Sequence, residues 1–471
     1  MRPGVAVIGG GISGLSAAFE LQSLGIPFLL LERAVQCGGV VRTDHIDGYT
    51  IDAGPDALLT QKPAAIDLCR ELGIAPRLRP QLRRETFVVR ARRLRALPEA
   101  SVLGIPTRWM PFATTGAFSW HGKLRMAIEP LRPRRVAAAD ESIASFIGRR
   151  FGQEAVDYLA EPLLAGIHGG DPKFLSMRSA FPRFLELEAT YGSVIAGLRH
   201  LRVAHSDQQR QPPSPFVALP DGMSELTTAL VGNLSPKSVR TGIAVEDISE
   251  SSEGYLLTLR GGDRLDVPAI LLATPPAVTA SLMWRVDPEL AQLCGRIRSA
   301  SVVTVALGYR RSAVRHPLDG TGLVVPRREG LTIRALSWVS SKWADRSPRD
   351  RVLLRAYLGG TQDPEAIEWS DEALIAAACR DTAALVNAAD PELARVYRWR
   401  DSTPQLEVGH VDVMSNIDHR LSLRPNVKVS ASGFRGTGIA DCVADARHQA
   451  RRAAEWVQAA GFTAVGAGST V

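Results

Sequence analysis

Two apolar runs, a glycine loop and a helical pattern occupy the stretch from Val5 to Glu32. Gly9, Gly11 and Gly14 stand in G-x-G-x-x-G spacing directly after the first run. These glycines allow a tight turn, a close approach of the backbone to a pyrophosphate, and close packing of helix on strand. The N-terminus of the helix offers free N–H groups and a partial positive charge to the same phosphates. The pattern predicts a dinucleotide-binding unit, with Glu32, 18 positions after Gly14, as a ribose ligand.

Three further glycine turns follow, at Gly38–Gly39, within GYTIDAGPD (Gly48–Asp56), and at Gly436–Gly438 before the last helical pattern. A nicotinamide dinucleotide would not need turns so soon after the acid, whereas FAD, a larger dinucleotide that lies extended along the protein, would. The positive end of the last helix would stabilise negative charge on the N1/C2=O edge of a flavin. We therefore predict FAD, gripped at both ends. Ordinary hairpin turns and a capped terminal helix remain the alternative interpretation.

The sequence contains no second G-x-G-x-x-G unit, so we expect the reducing equivalents to come from the substrate rather than from NAD(P)H. It also shows no nucleophile elbow, no metal-ligand spacing and no convincing acid/base pair. The flavin would carry the chemistry and the protein would position the substrate, which leaves the catalytic side chains unassigned.

Arginine outnumbers lysine 50 to 6, from a total of 56, and the formal net charge is +7. The basic residues concentrate between Arg77 and Arg135, which suits an anionic substrate or an anionic membrane surface, although a codon bias that replaces Lys by Arg would look the same. No nucleic-acid motif is present, so we do not expect nucleic acid as a partner. Five scattered cysteines indicate free thiols in a cytoplasmic setting, and no apolar run is long enough to span a bilayer.

The pattern of strands and helices predicts an α/β fold with three parts. The first is a Rossmann-like, FAD-binding domain of the glutathione-reductase or amine-oxidase type, the second a β-rich substrate domain, and the third an inserted helical lobe. The predicted boundaries are 1–76, 216–281 and 405–471 for the FAD-binding domain, 77–90 and 282–404 for the substrate domain, and 91–215 for the lobe. The lobe is the candidate surface for contact with a membrane or a partner.

Together these motifs resemble the protoporphyrinogen oxidase family within the flavin amine oxidase superfamily. The resemblance covers nearly the whole chain, and its most specific parts are Gly38–Leu59, Ser101–Lys123, EPLLAGIHGGDPKFLSM (Glu161–Met177), Arg398–His410 and GFRGTGIADC (Gly433–Cys442). Ser101–Lys123 is most similar to the soluble branch of Gram-positive bacteria, which oxidises coproporphyrinogen III. The family implies non-covalent FAD, oxygen as acceptor, and a six-electron oxidation of coproporphyrinogen III or protoporphyrinogen IX in haem biosynthesis.

The resemblance also implies positions for the cofactor and the substrate. FAD contacts fall at Gly9, Gly11, Gly14, Glu32, Arg33, Gly39, Val40, Gly54, Pro55, Val245, Trp399, Gly436, Thr437 and Ile439. The substrate falls near Gly166, His168 and Gly169, with Lys62 at the edge of the pocket. No metal ligand is implied. Partners would be the porphyrinogen, oxygen and, in peripheral contact, a membrane or a haem-pathway enzyme, with the chain a monomer or a homodimer.

Several positions depart from the family pattern. Thr86 stands where mitochondrial relatives carry an arginine for a substrate carboxylate, so the choice between the two porphyrinogens stays open. Thr304 stands where amine oxidases carry a lysine that orders water near the flavin, which disfavours an amine oxidase without removing it. A carotenoid desaturase would need an apolar tunnel where this chain is rich in arginine. A flavin-binding porphyrin carrier without turnover is the alternative from a different class.

Overall fold

A five-stranded parallel sheet forms the centre of the part that contains the N-terminal unit. The computed structural model describes residues 3–98, 101–102, 105–106, 109–135, 139–206 and 214–461. The strands follow the order Val239–Thr241, Phe28–Glu32, Val5–Ile8, Ala269–Leu272 and Val427–Val429. The three central strands are short apolar runs with almost every residue buried, as expected where both faces of a parallel sheet are covered.

Helices cover one face of this sheet. The N-terminal helix Ile12–Ser23 packs along the C-terminal helix Ile439–Ala459, and the two share one apolar core with the sheet. The helices Ala64–Glu71 and Ser224–Asn233 pack beside them. The two glycine loops that we predict to bind the cofactor, after Ile8 and before Ile439, therefore lie at the start of neighbouring helices.

The other face carries an antiparallel sheet and a group of helices. The strands are Val245–Ser251, Gly254–Leu259 and Arg264–Val267, and the helices are Pro276–Met283, Pro288–Gly295 and His410–Ser422. Leu282, Leu290 and Ile297 share an apolar core with Ile270 of the parallel sheet. The helices Pro276–Met283 and Pro288–Gly295, which lie at and after the predicted boundary at residue 282, thus both pack against the parallel sheet.

A seven-stranded sheet forms the second domain. Its order is Leu393–Pro404, Ser299–Arg310, Arg351–Gly359, Ala335–Trp338, Gly322–Val324, Thr86–Arg90 and Arg93–Ala96. All neighbours are antiparallel except Gly322–Val324 with Thr86–Arg90. Arg93–Ala96, just after the predicted start of the lobe at residue 91, turns back as a hairpin strand at the edge of this sheet.

The two faces of the seven-stranded sheet contact different parts of the molecule. Alternate residues such as Val305 and Leu354 pack against the helix Asp371–Val386. On the opposite face, Ala306 belongs to the core of the FAD-binding domain, whereas Ala335 belongs to the core of the helical lobe. The three parts of the molecule meet on this face, which confirms the predicted α/β fold with a β-rich domain and a helical lobe.

The helical lobe contains short helices around a core of its own. They are Trp109–Thr114, Trp120–Ala127, Ile143–Phe151, Gln153–Ala155, Glu161–His168, Met177–Ala180, Pro182–Tyr191 and Val194–Ser206, with a π-helical turn at Val156–Ala160. Inside it, the fully buried Arg150 pairs with Glu129. The family-specific stretch Ser101–Lys123 lies partly outside the described residues.

Smaller elements complete the described chain. Thr43–Ile46 and Tyr49–Asp52 form a hairpin, Leu58–Leu59, Phe216–Ala218 and Arg79–Pro80 form a three-stranded sheet, and Ser101–Val102 pairs with Ile105–Pro106. Single helical turns lie at Ala75–Arg77, Glu129–Leu131, Pro236–Ser238, Arg311–Ala313, Arg327–Glu329, Val339–Lys342 and Pro364–Glu368. Among the described residues, no helix is both long and apolar enough to cross a membrane.

Lys428, in the last strand of the parallel sheet, is a buried cation that donates to the Pro425 carbonyl oxygen at 2.6 Å. Burial and, to a smaller extent, the charge of Arg452 lower the pKa of Lys428 to about 8, from 10.5 for a free lysine. Below pH 8 the folded protein must hold a charge that its surroundings disfavour. We expect Lys428→Met to raise the melting temperature at pH 7, and we expect this gain to shrink as the pH rises from 8 towards 10.5.

The exposed Lys237 serves as the control for this variant, since Lys237→Met should change the melting temperature little at either pH. A Lys428→Met protein less stable than the wild type at pH 7 would contradict the expectation.

Candidate functional site

The glycine loop after the first strand is tightly packed on one side and open on the other. Gly9 has φ +106°, and a Cβ there would lie 2.6 Å from the Ala273 carbonyl oxygen. A Cβ on Gly14 would overlap the Gly9 carbonyl oxygen, so helix and strand approach each other as closely as the motif requires. A Cβ on Gly11 would meet no atom within 4 Å. The loop therefore presents bare backbone and a helix N-terminus to an open space, which fits a pyrophosphate.

The carboxylate of Glu32 is held beside this loop by backbone donors. It accepts from the N–H of Gly10 at 2.5 Å and from the N–H of Ala34 at 2.7 Å. The Ile243 N–H donates to the Glu32 carbonyl oxygen at 2.9 Å, which brings the half-buried Val245, two residues further on, near the same place. Arg33 is exposed next to Glu32. Glu32, Arg33 and Val245, predicted to contact the adenosine half of FAD, lie around one end of the loop.

Removing the Glu32 side chain should weaken cofactor retention. We expect Glu32→Ala to leave two backbone donors and a ribose hydroxyl pair without their acceptor, at about 1 to 3 kcal/mol. This corresponds to roughly a fivefold to 150-fold rise in the dissociation constant of FAD. The measurement is a titration of the deflavinated protein with FAD. Glu32→Gln, which keeps one acceptor oxygen, should fall between the wild type and Glu32→Ala, and an unchanged affinity of the alanine variant would remove Glu32 from the site.

The second glycine turn lies directly on the first. Gly38 N–H donates to the Gly10 carbonyl oxygen at 2.8 Å, and a Cβ on Gly39 would lie 3.2 Å from Gly11 Cα. The exposed Val40 follows, and a Cβ on Gly54 would overlap the carbonyl oxygen of Val40. The turns of residues 9–14, 38–40 and 53–55 are therefore stacked in one continuous line, with the half-buried Pro55 at its end.

Side chains of the seven-stranded sheet fix the backbone of the Ala53–Gly54 turn. The indole Nε1 of Trp399 donates to the Ala53 carbonyl oxygen at 2.9 Å, and Thr304 Oγ1 donates to the same oxygen at 3.2 Å. Arg355 donates through Nη1 to the carbonyl oxygens of Asp52 and, at 2.8 Å, of Gly54. Thus Thr304, at the position where amine oxidases have a lysine, has a structural partner in this chain.

A group of charges beneath this turn, in which Arg355 is buried and Asp56 and Lys342 are half-buried, was not predicted from the sequence. Asp56 lies 2.8 Å from Lys342 Nζ and 3.5 Å from Arg355 Nη2. Burial alone would raise the pKa of the Asp56 carboxyl, but the two cations overcome burial and hold that pKa well below its usual range. Asp56 is therefore ionised, and Arg355 ties it to the carbonyl groups of the turn. The sequence did carry a signal, because Arg355 is the one charged residue in the apolar run VLLRAYLG. Such a run predicts a buried strand, and an arginine is almost never buried unless it is paired.

The loop before the C-terminal helix is linked to the predicted pocket edge. Gly436 has φ +151°, and a Cβ there would lie 2.5 Å from the side chain of Asp441, which also accepts from the Gly438 N–H at 3.3 Å. Lys62 Nζ contacts both Asp441 oxygens at 2.7 Å. The half-buried Thr437 lies in this loop, and Ile439 begins the helix and packs against the central core. Lys62, predicted to contact substrate, thus lies at the loop that we predict to face the flavin, with its ammonium group paired to Asp441.

The glycine run at the end of the helix Glu161–His168 packs against the seven-stranded sheet. A Cβ on Gly166 would lie 2.9 Å from Ala335 Cβ, and one on Gly169, with φ +56°, would lie 2.6 Å from Val302 Cγ1. Gly169 also accepts from the Thr361 N–H at 2.7 Å. His168 is the last residue of the helix, so its backbone lies between these two glycines. The predicted substrate glycines lie on the sheet face that also meets the FAD-binding domain.

The predicted cofactor and substrate positions form one chain of neighbours. Val302, beside Gly169, is the register partner of Trp399, whose indole holds Ala53. The Gly54 turn then touches Val40, and Gly39 touches Gly11. The residues present therefore fit an extended dinucleotide, with open backbone at one end, a helix N-terminus at each end, and a fixed turn between them.

Three comparisons with known proteins agree with this geometry. The family model of the flavin containing amine oxidoreductases matches residues 12–457. Coproporphyrinogen III oxidase of Bacillus subtilis (strain 168) is 34% identical over 449 residues, covering 93% of this chain and 95% of that protein. Coproporphyrinogen III oxidase of Staphylococcus aureus (strain NCTC 8325 / PS 47) is 31% identical over 456 residues, covering 94% of this chain and 97% of that protein.

Among solved structures, one from Exiguobacterium sp. 255-15, whose name places it with the protoporphyrinogen oxidases, superimposes with a TM-score of 0.85 at 27% identity. It covers 96% of this chain and 98% of its own. The similarity therefore extends over all three parts of the molecule.

Proposed function

The chain belongs to the flavin containing amine oxidoreductase family, and from this premise we propose that it is an FAD-dependent oxidase that converts coproporphyrinogen III to coproporphyrin III in haem biosynthesis. The observation that carries the proposal is the 34% identity, over 93% of this chain, to a coproporphyrinogen III oxidase. The stacked glycine turns and the glycine run on the shared sheet face support it.

The reaction removes six hydrogens, so three two-electron oxidations consume three molecules of oxygen and release three of hydrogen peroxide. Bound FAD supplies hydride acceptance from carbon and returns the electrons to oxygen. In this proposal Gly9, Gly11 and Gly14 bind the pyrophosphate, Glu32 binds the ribose, and the Gly436–Ile439 loop stabilises negative charge at the flavin. The Asp56, Lys342 and Arg355 group keeps the Gly54 turn rigid, which fixes the distance between cofactor and substrate.

The substrate would lie between the Gly54 turn and the glycine run. Gly166 and Gly169 let the end of the helix approach the sheet closely, because a Cβ at either position would lie within 3 Å of the side chain of Ala335 or Val302. Burial between the lobe and the sheet would exclude water from the reacting carbons.

The test is porphyrin fluorescence after addition of each porphyrinogen to purified, flavin-loaded protein, in air and under nitrogen. We expect rapid, oxygen-dependent product from coproporphyrinogen III and slower product from protoporphyrinogen IX. A preference for protoporphyrinogen IX would show that this compound, and not coproporphyrinogen III, is the substrate. If neither porphyrinogen reacts, peroxide release from simple amines tests for an amine oxidase, and porphyrin binding without turnover would indicate a carrier.

We further propose that the chain acts in the cytoplasm and docks on an anionic membrane through its helical lobe. Trp120, Leu124 and Leu131 are 76%, 65% and 83% exposed, and the first two lie one helical turn apart on Trp120–Ala127. Lys123 lies 4.7 Å above the Trp120 ring, and the exposed Arg132 follows Leu131. An apolar patch with adjacent cations is typical of interfacial helices.

Sedimentation with vesicles tests this docking. The wild type should sediment with phosphatidylglycerol vesicles more than with phosphatidylcholine vesicles, and Trp120→Ser/Leu124→Ser should remain in the supernatant. Leu423→Ser, at an exposed leucine after the helix His410–Ser422, should behave as the wild type. Equal sedimentation of all three proteins would exclude this surface. Light scattering of the wild-type protein without vesicles would decide between a monomer and a homodimer.

A further inference from the structure

Three buried polar atoms without a hydrogen-bond partner lie around the glycine run. They are Nη1 of Arg334, Oε1 of Glu161 and Oε1 of Gln362, in the part of the chain that the structure describes. Buried polar groups are nearly always paired, so such a group needs an explanation. Arg334 is the informative member, because its charge acts on the neighbouring Glu161 carboxyl, whose pKa is raised by burial, and yet its own Nη1 donates to no acceptor.

Arg334 is held rigidly by one edge only. The residue is 6% exposed, and its Nε and Nη2 lie 2.8 Å and 2.7 Å from Oδ2 of Asp363. Because Nε and Nη2 form one edge of the planar guanidinium group, Asp363 fixes the plane and leaves Nη1 at the remaining corner. Two N–H bonds at a fixed position, buried from water, are suited to a carboxylate.

The backbone places Arg334 at the predicted substrate position. Its carbonyl oxygen lies 3.7 Å from the Cβ position of Gly166, and the next residue, Ala335, makes the close contact with that glycine. Gln362 and Asp363 directly follow Thr361, whose N–H donates to the Gly169 carbonyl oxygen. Arg334 and its partner therefore flank the glycine run from two neighbouring segments of the second domain.

Three other arginines with buried or half-buried side chains, Arg90, Arg355 and Arg346, are engaged elsewhere. Arg90, near the Thr86 position, pairs with Glu154, donates to the Ala117 carbonyl oxygen at 2.7 Å and lies over the Tyr158 ring. Arg355 bonds the Gly54 turn. Arg346 also has nitrogens without hydrogen bonds, but its Nη1 lies 3.2 Å from Asp52 Oδ2. Arg334 thus combines burial, a spare donor corner and a place beside the glycine run.

We propose that Nη1 of Arg334 binds a carboxylate of the substrate, and that Asp363 positions the guanidinium group for it. This inference rests on the proposed function, in which the substrate is a tetrapyrrole with propionate side chains. It supplies the carboxylate anchor that the Thr86 position lacks. The bond is formed by the fully reduced and the fully oxidised ring system alike, so it holds the macrocycle through all three oxidations.

The test compares ligands that differ only in their carboxylates. Coproporphyrin III and its tetramethyl ester are titrated into wild type, Arg334→Met, Arg334→Lys and the Arg334→Met/Asp363→Asn double variant, with binding followed by fluorescence. We expect Arg334→Met to weaken coproporphyrin binding about tenfold or more, as for loss of one charged hydrogen bond, without weakening ester binding. Arg334→Lys should recover part of the affinity. In the double variant Asp363 no longer carries a charge that has lost its partner. It should bind coproporphyrin as weakly as Arg334→Met does, which would show that the loss of affinity comes from the missing guanidinium group and not from an unpaired Asp363.

Arg328→Gln is the control, because Arg328 is exposed and pairs at 3.0 Å with Asp157, which lies just before the helix Glu161–His168. It should leave both affinities unchanged. With coproporphyrinogen III as substrate, Arg334→Met should raise KM at nearly unchanged kcat and FAD content.

Two results would overturn the assignment of Arg334 as the group that binds the substrate carboxylate. One is an unchanged coproporphyrin affinity of Arg334→Met in a protein whose wild type oxidises coproporphyrinogen III. The other is an equal loss for the acid and the ester, which would indicate a structural role. A wild type that neither binds coproporphyrin nor oxidises either porphyrinogen would overturn the proposed function together with the anchor.

Discussion

Replacing Gly14 by alanine is expected to abolish FAD retention and to lower the melting temperature of the cofactor-free protein. The new Cβ would overlap the Gly9 carbonyl oxygen and would lie 3.2 Å from Ala273 Cβ. The Gly9 backbone cannot move aside, because its N–H donates to the Leu31 carbonyl oxygen within the central sheet. The N-terminal helix must therefore shift away from the strand, at a cost of about 3 kcal/mol. Its N-terminus would then no longer point at the pyrophosphate position.

Two glycines provide matched controls for this variant. Gly11→Ala adds its methyl group where no protein atom lies within 4 Å, so the cofactor-free protein should keep its melting temperature while FAD retention falls. Gly232→Ala, in the helix Ser224–Asn233, also meets no atom and should change neither property adversely. The measurements are the ratio of flavin to protein absorbance after gel filtration and thermal unfolding of the deflavinated proteins. A Gly14→Ala protein with a wild-type flavin ratio would refute the close packing of helix on strand.

Replacing Arg355 by methionine is expected to give the largest loss of stability among the charged residues of the site. It leaves the carbonyl oxygens of Asp52 and Gly54 without their side-chain donor, and it leaves the half-buried Asp56 with Lys342 as its remaining cation. Removal of one partner from a buried charge group costs about 3 to 5 kcal/mol. The free energy of unfolding from denaturant titration measures this loss, and flavin content should fall with it because the Gly54 turn is released.

Arg260→Met is the comparison, since Arg260 forms an exposed pair with Glu246 at 2.9 Å. Such surface pairs contribute about 0 to 1 kcal/mol. Equal losses of unfolding free energy in Arg355→Met and Arg260→Met would show that Arg355 does not stabilise the Gly54 turn. Added salt should not restore Arg355→Met, because ions screen exposed charges far more than buried ones.

Local patterns in the sequence predicted the parts of the fold that local physics determines. The apolar runs before Gly9 and before Glu32 became adjacent parallel strands, and the run from Ser299 extends to Arg310 as a strand. The glycine spacing placed the loop and helix correctly because backbone geometry leaves few alternatives there. Domain boundaries are harder to predict, since the helices after Pro276 have apolar faces that could pack on either domain.

The buried charges were missed for a physical reason. Asp56, Lys342 and Arg355 are about 300 positions apart at most, and nothing local shows that they share one interior site. The usable signal was a single charged residue within an apolar run, which occurs at Arg355 in VLLRAYLG and at Arg334 in LTIRALSW. An arginine there must find an anion, but only the tertiary structure identifies it.

The strand order of the parallel sheet also governs how the protein is made. Of the five strands, Val5–Ile8 leaves the ribosome first. Its neighbour Ala269–Leu272 pairs on its other side with Val427–Val429, which is synthesised last. The helix that packs on the N-terminal helix ends at Ala459. A nascent chain therefore synthesises residues 9–14 more than 400 residues before the helix Ile439–Ala459 that packs on the N-terminal helix. If the cofactor is bound by both glycine loops, its capture requires the chain through residue 438, and an N-terminal fragment halted before residue 427 should expose a sheet edge that chaperones recognise.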